Sequence, residues 1–268
     1  MIPAIDIHAH VGDAGGFPQR EKEREFFSLA FSELEKNMQA AGVKALLASP
    51  AEGIFPYGTH TICLANQEMS ELTRQFSWLY QWVIVHPEIP ETYRQAEALL
   101  KTSKCVGIKI HPDAHQYPIS RYGDEIFQFA AGFDTAVQTH TGGAFCLPED
   151  FVEYANRYPQ VNILLSHLGN SADGDVEHQV RAILKSRHGN LYTDVSSVKS
   201  ILPHLIEWAV GEVGSKQILF GTDTPLHHIG MMRSRIDYAD LVQEEKEDIF
   251  YKNAIRVIKC RTIESLIA

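Results

Sequence analysis

Short apolar stretches alternate along the chain with longer segments in which apolar residues recur at the spacing of a helix face. Between positions 20 and 41, for example, Ala30, Leu34 and Met38 follow one another at intervals of four residues, and Gly42 ends the pattern. The short apolar runs between such segments are typical of strands that are buried on both faces. The alternation therefore predicts a series of βα units and a parallel sheet.

The pattern predicts eight strands, each followed by helical chain. The strands are predicted at positions 4–8, 43–49, 79–85, 107–111, 135–139, 162–166, 191–194 and 218–221. The helices are predicted at positions 20–41, 61–76, 90–101, 123–132, 148–158, 176–186 and 200–211, with the last inside 238–261. A (β/α)8 TIM barrel typically needs about 250 residues, and this chain has 268. We therefore predict an α/β protein with a single barrel domain over residues 1–268. An open doubly wound sheet is the alternative.

Charge and composition narrow the choice of partners. The formal net charge is -10 at pH 7, which is unsuited to nucleic acid or an anionic membrane because both attract clustered lysine and arginine. No apolar run reaches the roughly 20 residues of a membrane helix, and the first residues lack the pattern of a signal peptide. We expect a cytoplasmic protein that binds a small-molecule substrate. A homodimer is the commonest assembly for such proteins.

Histidines occupy most of the predicted strand ends. In a (β/α)8 barrel the active site lies at the carboxyl ends of the strands. Five of the eight predicted strands end at histidine and an aspartate follows the eighth, as shown by His8, His10, His86, His111, His140, His167 and Asp223. One histidine at a strand end is usually an ordinary hydrogen-bonded residue. The concentration of histidines at this single edge predicts an active site there.

Two of these histidines lie on the same side of one strand. His8 and His10 are two residues apart, and strand side chains alternate between faces. Neutral imidazole is the commonest metal ligand, and a carboxylate adds the negative charge that holds a divalent ion. The predicted metal site has three nitrogen ligands, one oxygen ligand and an open position for water, and its ligands are His8, His10, His140 and Asp223.

Several short segments resemble a known family. They are DIHAH at 6–10, GIKIHP at 107–112, QTHTG at 138–142, LSHLG at 165–169, FGTDTP at 220–225 and YKNA at 251–254. This ordered set is similar to the amidohydrolase superfamily, in particular its decarboxylase-like "amidohydrolase 2" branch. The resemblance covers nearly the whole chain. It implies a metal, usually zinc, bound by the four predicted ligands, and it places His167 beside the metal-bound water.

A metal site of this kind predicts a hydrolase. A bound zinc ion lowers the pKa of its water from about 16 to about 7 and so supplies hydroxide at neutral pH. We expect Asp223 to accept a proton from this water and to pass it to the leaving group. His167 is expected to orient the water or to polarise the substrate carbonyl. The predicted substrate is a small amide, lactone or ester, with a carboxylate as an additional feature.

Lys109 allows more than one interpretation. It shares a face of the fourth predicted strand with His111. In two-metal members of the superfamily a lysine at this strand is carbamylated and bridges the metals, and His140 with His167 would then complete a second site. An unmodified lysine would instead bind a substrate carboxylate, or pair with a barrel aspartate such as Asp194. We favour one metal.

Other candidates for substrate binding lie near the strand ends. The principal ones besides Lys109 are His86, His111 and Arg121. The loops predicted to follow the carboxyl ends of the strands, at the mouth of the barrel, also carry candidates. They are His115, His227, His228, Phe17, Phe55, Tyr57, Tyr117, Met231, Met232, Arg233 and Arg235. A mouth of this composition suits a small substrate with a ring or a carbonyl group.

Three other functions remain open. The same site could serve a metal-dependent, non-oxidative decarboxylase of a small aromatic or unsaturated acid. A TatD-like nuclease also begins with a His-x-His strand, but that family has glutamate where this chain has Lys109, and the negative net charge disfavours DNA. A barrel that only binds a metal or a metabolite is the non-enzymatic alternative. Serine-hydrolase, P-loop and dinucleotide-binding motifs are absent from the sequence.

Overall fold

Eight parallel strands form a single sheet in chain order. The computed structural model describes residues 1–13, 21–55, 62–258 and 260–267. Each strand pairs in parallel with the next one along the chain. The strands are β1 (Ala4–Val11), β2 (Val43–Pro50), β3 (Leu79–Ile84), β4 (Cys105–Ile110), β5 (Ala136–Thr139), β6 (Ile163–Leu165), β7 (Leu191–Asp194) and β8 (Ile218–Leu219). The predicted single-domain (β/α)8 barrel is confirmed, and the open doubly wound sheet is excluded by this strand order.

Helices connect the successive strands. The α-helices span Glu21–Phe27, Phe31–Ala40, Ala51–Ile54, Ile62–Gln75, Pro90–Leu99, Pro112–His115, Ile119–Ala131, Val152–Arg157, His178–Lys185, Leu205–Val213, Ile229–Asp237, Gln243–Glu247, Asn253–Ile258 and Arg261–Ile267. Short 3-10 turns span Pro148–Phe151, Val198–Ile201 and Ser215–Gln217, and a π-helical turn spans Asp248–Lys252. Within the described residues, none of these helices has the length and apolar character needed to cross a membrane.

Two of the predicted helices each contain two α-helices. The segment predicted as one helix at 20–41 contains two, because Ala30 has an extended backbone with φ -62° and ψ 142° and starts the second one. Helical spacing reports which face is buried and does not detect such a break. The segment at 238–261 likewise contains two helices separated by the π-helical turn. Positions 20 and 61, where two predicted helices begin, lie outside the described residues.

Both faces of the sheet are buried, as expected for a parallel barrel. Ile5, Ile7 and Trp82 belong to the apolar cluster that contains residues from all eight strands. The indole Nε1 of Trp82 donates to the backbone oxygen of Ile7 at 2.9 Å, and Gln138 Nε2 donates to the same oxygen at 2.9 Å. Polar side chains in the interior therefore join strands that are far apart in sequence.

The barrel closes between β1 and the segment that follows β8. Ile7 N donates to Phe220 O at 3.0 Å, Asp223 N donates to His8 O at 2.7 Å, and His10 N donates to Thr224 O at 2.7 Å. We call this junction of residues 6–10 with residues 220–224 the closing seam. It positions the side chains of His8, His10 and Asp223 close to one another.

A buried carboxylate stabilises the closing seam from within. Asp6 Oδ1 accepts from His8 N at 3.1 Å and from Thr222 N at 3.0 Å, and Oδ2 accepts from Thr222 Oγ1 at 2.6 Å. Gly221 allows the close approach of the strands here, because a Cβ at this position would lie 2.9 Å from the Cβ of His8 and 3.2 Å from that of Asp194.

Candidate active site

Three side chains converge where the barrel closes. His10 Nε2 lies 3.0 Å from Asp223 Oδ1, and His8 Nε2 lies 3.4 Å from the same oxygen. The three residues are buried, and each offers a ligand atom within 4.8 Å of the others. The spacing predicted from His-x-His and from Asp223 is thus present in the fold.

The other ring nitrogen of each of these histidines already has a partner. His8 Nδ1 lies 3.0 Å from Asp194 Oδ2, and His10 Nδ1 lies 2.9 Å from Ser49 Oγ. Metal-binding histidines characteristically engage the second nitrogen in this way, which orients the ring and leaves the ligand nitrogen free. Two oriented imidazoles and one carboxylate are a donor set that fits a divalent transition metal.

The electrostatics of the two aspartates favour their ionised forms. Burial raises the pKa of Asp223, but His8, His10 and His167 lower it by more, so that its pKa lies well below the usual range. The same balance between burial and the contacts with His8, His167 and Ser196 holds the pKa of Asp194 well below its usual value. Asp223 is therefore available as an anionic ligand, and Asp194 as an acceptor of hydrogen bonds.

A second group of potential ligands, formed by His8, His167 and Asp194, lies behind the first one. Ser196 Oγ connects its members, at 3.0 Å from His8 Nδ1 and 2.8 Å from His167 Nδ1, and it donates to Asp194 Oδ1. The group shares His8 with the first one, and its atoms already bind one another. The second group therefore supports the first group through hydrogen bonds.

His140 lies at the edge of this cluster. Its Nδ1 is 3.1 Å from His167 Nε2, its ring stacks on His111 with centroids 4.2 Å apart, and its Nε2 is 3.9 Å from Asp113 Oδ2. Among the described residues, neither group of converging ligand atoms includes His140. The structure therefore brings together three of the four predicted metal ligands and places the fourth beside His167.

Lys109 is fully buried beside the three converging side chains. Its Nζ lies 3.2 Å from His8 Nε2. Burial lowers the pKa of Lys109 to about 8, although the carboxylates of Asp223 and Asp194 oppose the shift. The ammonium group thus lies where it would contact a ligand bound at His8.

The other predicted substrate-binding residues differ in their distance from this cluster. His111 packs against His140, and its Nδ1 accepts from Ala114 N at 3.1 Å. The ring of His86 packs beside those of His115 and Tyr117, with centroids 5.0 and 5.3 Å away. Arg121 is exposed, and its guanidinium lies over the ring of Tyr122.

Several of the mouth-loop candidates have a structural role instead. Met232 is in the core, and the buried Arg233 donates to Ala41 O and Asp237, while Arg235 pairs with Glu207. They belong to the helix Ile229–Asp237, which the apolar pattern did not predict because a buried arginine interrupts it. Phe17 and Tyr57 lie outside the described residues. The remaining candidates of this set keep their status as predictions.

Apolar side chains line a pocket beside His10. Its wall includes Phe27, Phe31, Leu34 and Pro225. On another side, the ring of Phe55 lies 5.8 Å from that of His10. A ligand that reaches the three converging side chains therefore meets both charged and apolar surroundings.

Sequence reasoning did not identify the residues that support the site. Ser49 and Ser196 contact ring nitrogens, and Asp6 holds the closing seam, but buried serine and aspartate have no distinctive pattern in a sequence. The sequence predicts Asp194 only as a partner of Lys109. Its position at the end of β7 was the one available signal, because it lies at the same barrel edge as the histidines.

The sequence matches a family model, and the fold resembles solved structures. A sequence model described as amidohydrolase matches residues 5–259. Among curated proteins, no sequence matches this chain. The fold resembles the crystal structure of 5-carboxyvanillate decarboxylase from Sphingomonas paucimobilis, with 15% identity, a TM-score of 0.74, and coverage of 97% of this chain and 100% of the other.

Two further solved structures have the same fold. The 2,6-dihydroxybenzoate decarboxylase from Rhizobium has 13% identity and a TM-score of 0.75, and the match covers 97% of this chain and 99% of the other. A dihydroxybenzoic acid decarboxylase from Polaromonas, solved with manganese and the inhibitor 2-nitroresorcinol, has 15% identity, a TM-score of 0.72 and 97% coverage of both chains. The family match spans nearly the whole chain, so this protein belongs to the amidohydrolase family, in its amidohydrolase 2 branch.

Proposed function

We propose that this protein is a metal-dependent, non-oxidative decarboxylase of a small aromatic or unsaturated carboxylic acid. The observation that carries the proposal is the buried ammonium of Lys109, 3.2 Å from Nε2 of His8. A carboxylate bound at His8, His10 and Asp223 would meet this cation in a place with little solvent, where the attraction between opposite charges is strong. The decarboxylases with the same fold support the choice of reaction.

The proposed metal ligands are the three converging residues His8, His10 and Asp223. His140 is the proposed fourth ligand, because its ring lies against His167 at the edge of the same cluster. When bound, the metal supplies positive charge that holds the substrate oxygens. We propose one divalent ion per chain, of the zinc or manganese type, and an uncarbamylated Lys109, because the second group of ligand atoms is joined by Ser196.

The chain's own residues account for the remaining requirements of the reaction. In decarboxylation the bond between the carboxyl group and its carbon breaks, CO2 leaves, and the carbon takes up a proton. His167 Nε2 lies 3.1 Å from Nδ1 of His140, the proposed fourth ligand, so this nitrogen is proposed to carry the proton. Burial lowers the pKa of His167 to about 4, and an anionic substrate would oppose this effect by favouring the protonated ring. The ring of Phe55, 5.8 Å from that of His10, would contact the body of the substrate.

The direct test is a reaction in deuterium oxide with a panel of hydroxybenzoic and unsaturated acids labelled with 13C at the carboxyl group. We expect labelled CO2 in an amount equal to the product, with one deuterium at the carbon that lost the carboxyl group. The His8→Ala/His10→Ala double variant should retain no metal and release no CO2. Cleavage of lactones or amides without CO2 would instead assign the protein to the hydrolases and overturn the proposal.

The role of Lys109 can be tested by Lys109→Met, which removes the charge and keeps an unbranched side chain. We expect the metal content to be unchanged and KM for the acid to rise at least about 10-fold, because a charge-assisted contact of about 1.5–3 kcal/mol is lost. Lys44→Met, at an exposed position of β2, is the matched control and should behave as wild type. An unchanged KM in Lys109→Met would remove the observation on which the proposed function depends.

A further inference from the structure

A single serine hydroxyl lies between two of the active-site histidines. Ser196 follows β7 and is fully buried. Its Oγ lies 3.0 Å from His8 Nδ1 and 2.8 Å from His167 Nδ1, and it also contacts Asp194 Oδ1. Three side chains from three separate strand ends therefore meet at one oxygen atom.

The direction of each hydrogen bond follows from the chemistry of the groups. An ionised carboxylate can only accept, so the one proton of the Ser196 hydroxyl is donated to Asp194. The serine oxygen then has only lone pairs to offer to the two imidazoles. Both contacts require N–H donors, which places a proton on Nδ1 of His8 and on Nδ1 of His167.

An independent contact agrees with this assignment for His8. Nε2 of His8 lies 3.2 Å from Nζ of Lys109, and an ammonium group can only donate. Nε2 of His8 is therefore the unprotonated nitrogen, and the proton belongs on Nδ1. Asp194 Oδ2, 3.0 Å from the same Nδ1, is a second acceptor for it.

We propose that Ser196 is a positioning residue that holds His167 in the tautomer protonated at Nδ1, so that Nε2, which lies 3.1 Å from His140 Nδ1, is left unprotonated. The effect is specific to His167, because His8 keeps Asp194 as a partner when the serine hydroxyl is removed. The consequence for turnover rests on the proposed function, in which His167 Nε2 carries a proton. The tautomer itself is independent of the reaction.

The test is 15N NMR of the histidine rings in the metal-loaded protein, combined with kinetics. In wild type, His167 should show a protonated Nδ1 and an unprotonated Nε2. In Ser196→Ala, His167 should populate both tautomers while His8 stays protonated at Nδ1. We expect kcat to fall by about 10-fold to 1000-fold, in line with other losses of a histidine tautomer or of proton transfer, and the metal Kd to stay within about twofold of wild type.

Two variants control for the change of volume and for the hydroxyl. Ser166→Ala removes another buried hydroxyl, one that has no hydrogen-bond partner among the described residues, and should leave the His167 signals and kcat unchanged. Ser196→Thr restores a hydroxyl and should restore the tautomer. A wild-type His167 protonated at Nε2, or an unchanged tautomer in Ser196→Ala, would overturn the proposal. The NMR result stands even if no acid is decarboxylated, so failure of the proposed function is recognised separately.

Discussion

The histidines of the site differ in what their second nitrogen contacts. Within the described part of the chain, Nδ1 of His8 contacts a carboxylate and a serine, whereas Nδ1 of His10 contacts Ser49 and Nδ1 of His167 contacts Ser196. A carboxylate partner strengthens a metal ligand, whereas a neutral hydroxyl orients a ring and leaves its basicity largely unchanged. The carboxylate partner of His8 supports its proposed role in metal binding, and the neutral partner of His167 is compatible with its proposed role in proton transfer.

This distinction leads to a prediction for His167→Asn. The metal content should stay at the wild-type level, because the three converging side chains are intact. The value of kcat should fall by at least about 100-fold, the usual contribution of a positioned proton carrier. Metal analysis and steady-state kinetics on the same preparation check both parts. His188→Asn, at an exposed position, is the control, and loss of metal from the His167 variant would contradict the assignment.

The residues of the site could be predicted from the sequence only in part. His8 and His10 could, because a strand places residues two apart on one face whatever the rest of the fold does. The contact of Ser196 with His8 could not, since it depends on how β7 and β1 approach across the closed barrel. The same applies to His140, whose neighbours are set by the loop after β5 and by the ring of His111.

At the scale of elements, the closing seam is made differently from the other strand pairs. β8 has only two residues in regular strand geometry, and the hydrogen bonds to β1 come from the segment after it. Asp6 and Thr222 supply side-chain hydrogen bonds in place of further strand pairing. Strands and their order were predictable from buried apolar runs, but this junction was not, because apolar periodicity carries no information about side-chain hydrogen bonds.

Asp6 should give the metal-free protein an unusual dependence of stability on pH. Burial raises the pKa of Asp6 from 3.8 to about 7, despite the hydrogen bonds from Thr222 and His8. The folded protein thus binds a proton that the unfolded chain has released, and this contribution to stability is full below about pH 4 and is lost as the pH rises to 7. The free energy of unfolding should fall by up to about 1.4 kcal/mol per pH unit in that window.

Urea unfolding of chelator-treated wild type and Asp6→Asn at several pH values isolates this contribution. The carboxylates of Asp194 and Asp223 act in the opposite direction in both proteins, since each has a lowered pKa and contributes less as the pH falls. The difference between the two curves therefore reports Asp6. Parallel curves from pH 4 to 7 would show that Asp6 is ionised throughout this range.

For the whole molecule, metal binding and folding stability should be linked. The three converging ligands come from the two ends of the barrel sheet, so they are close together only in the folded chain. A ligand at 100 times its Kd stabilises the folded state by about 2.7 kcal/mol, which corresponds to a rise of about 5 to 10 °C in Tm for a chain of this size. Differential scanning calorimetry with added zinc or manganese should show this rise in wild type and none in His8→Ala/His10→Ala. A rise of equal size in both would place the metal elsewhere.

The overall architecture was the most predictable level. A regular alternation of buried strands and amphipathic helices over 268 residues admits few folds, and one of them is the barrel observed. The helix Ile229–Asp237 was missed because Arg233 is buried by its bonds to Asp237 and Ala41 O, which an apolar pattern does not anticipate. A helix that was not predicted adds to the connections between strands but does not change the order of the strands.

The position of the ligands in the chain has a consequence for synthesis. His8 and His10 leave the ribosome long before Asp223, which follows only after all eight strands have been made. A nascent or truncated chain that lacks the end of the barrel has two imidazoles but no carboxylate to complete the group. The metal would therefore be acquired after translation of the barrel is complete, and prematurely terminated products would be left without it.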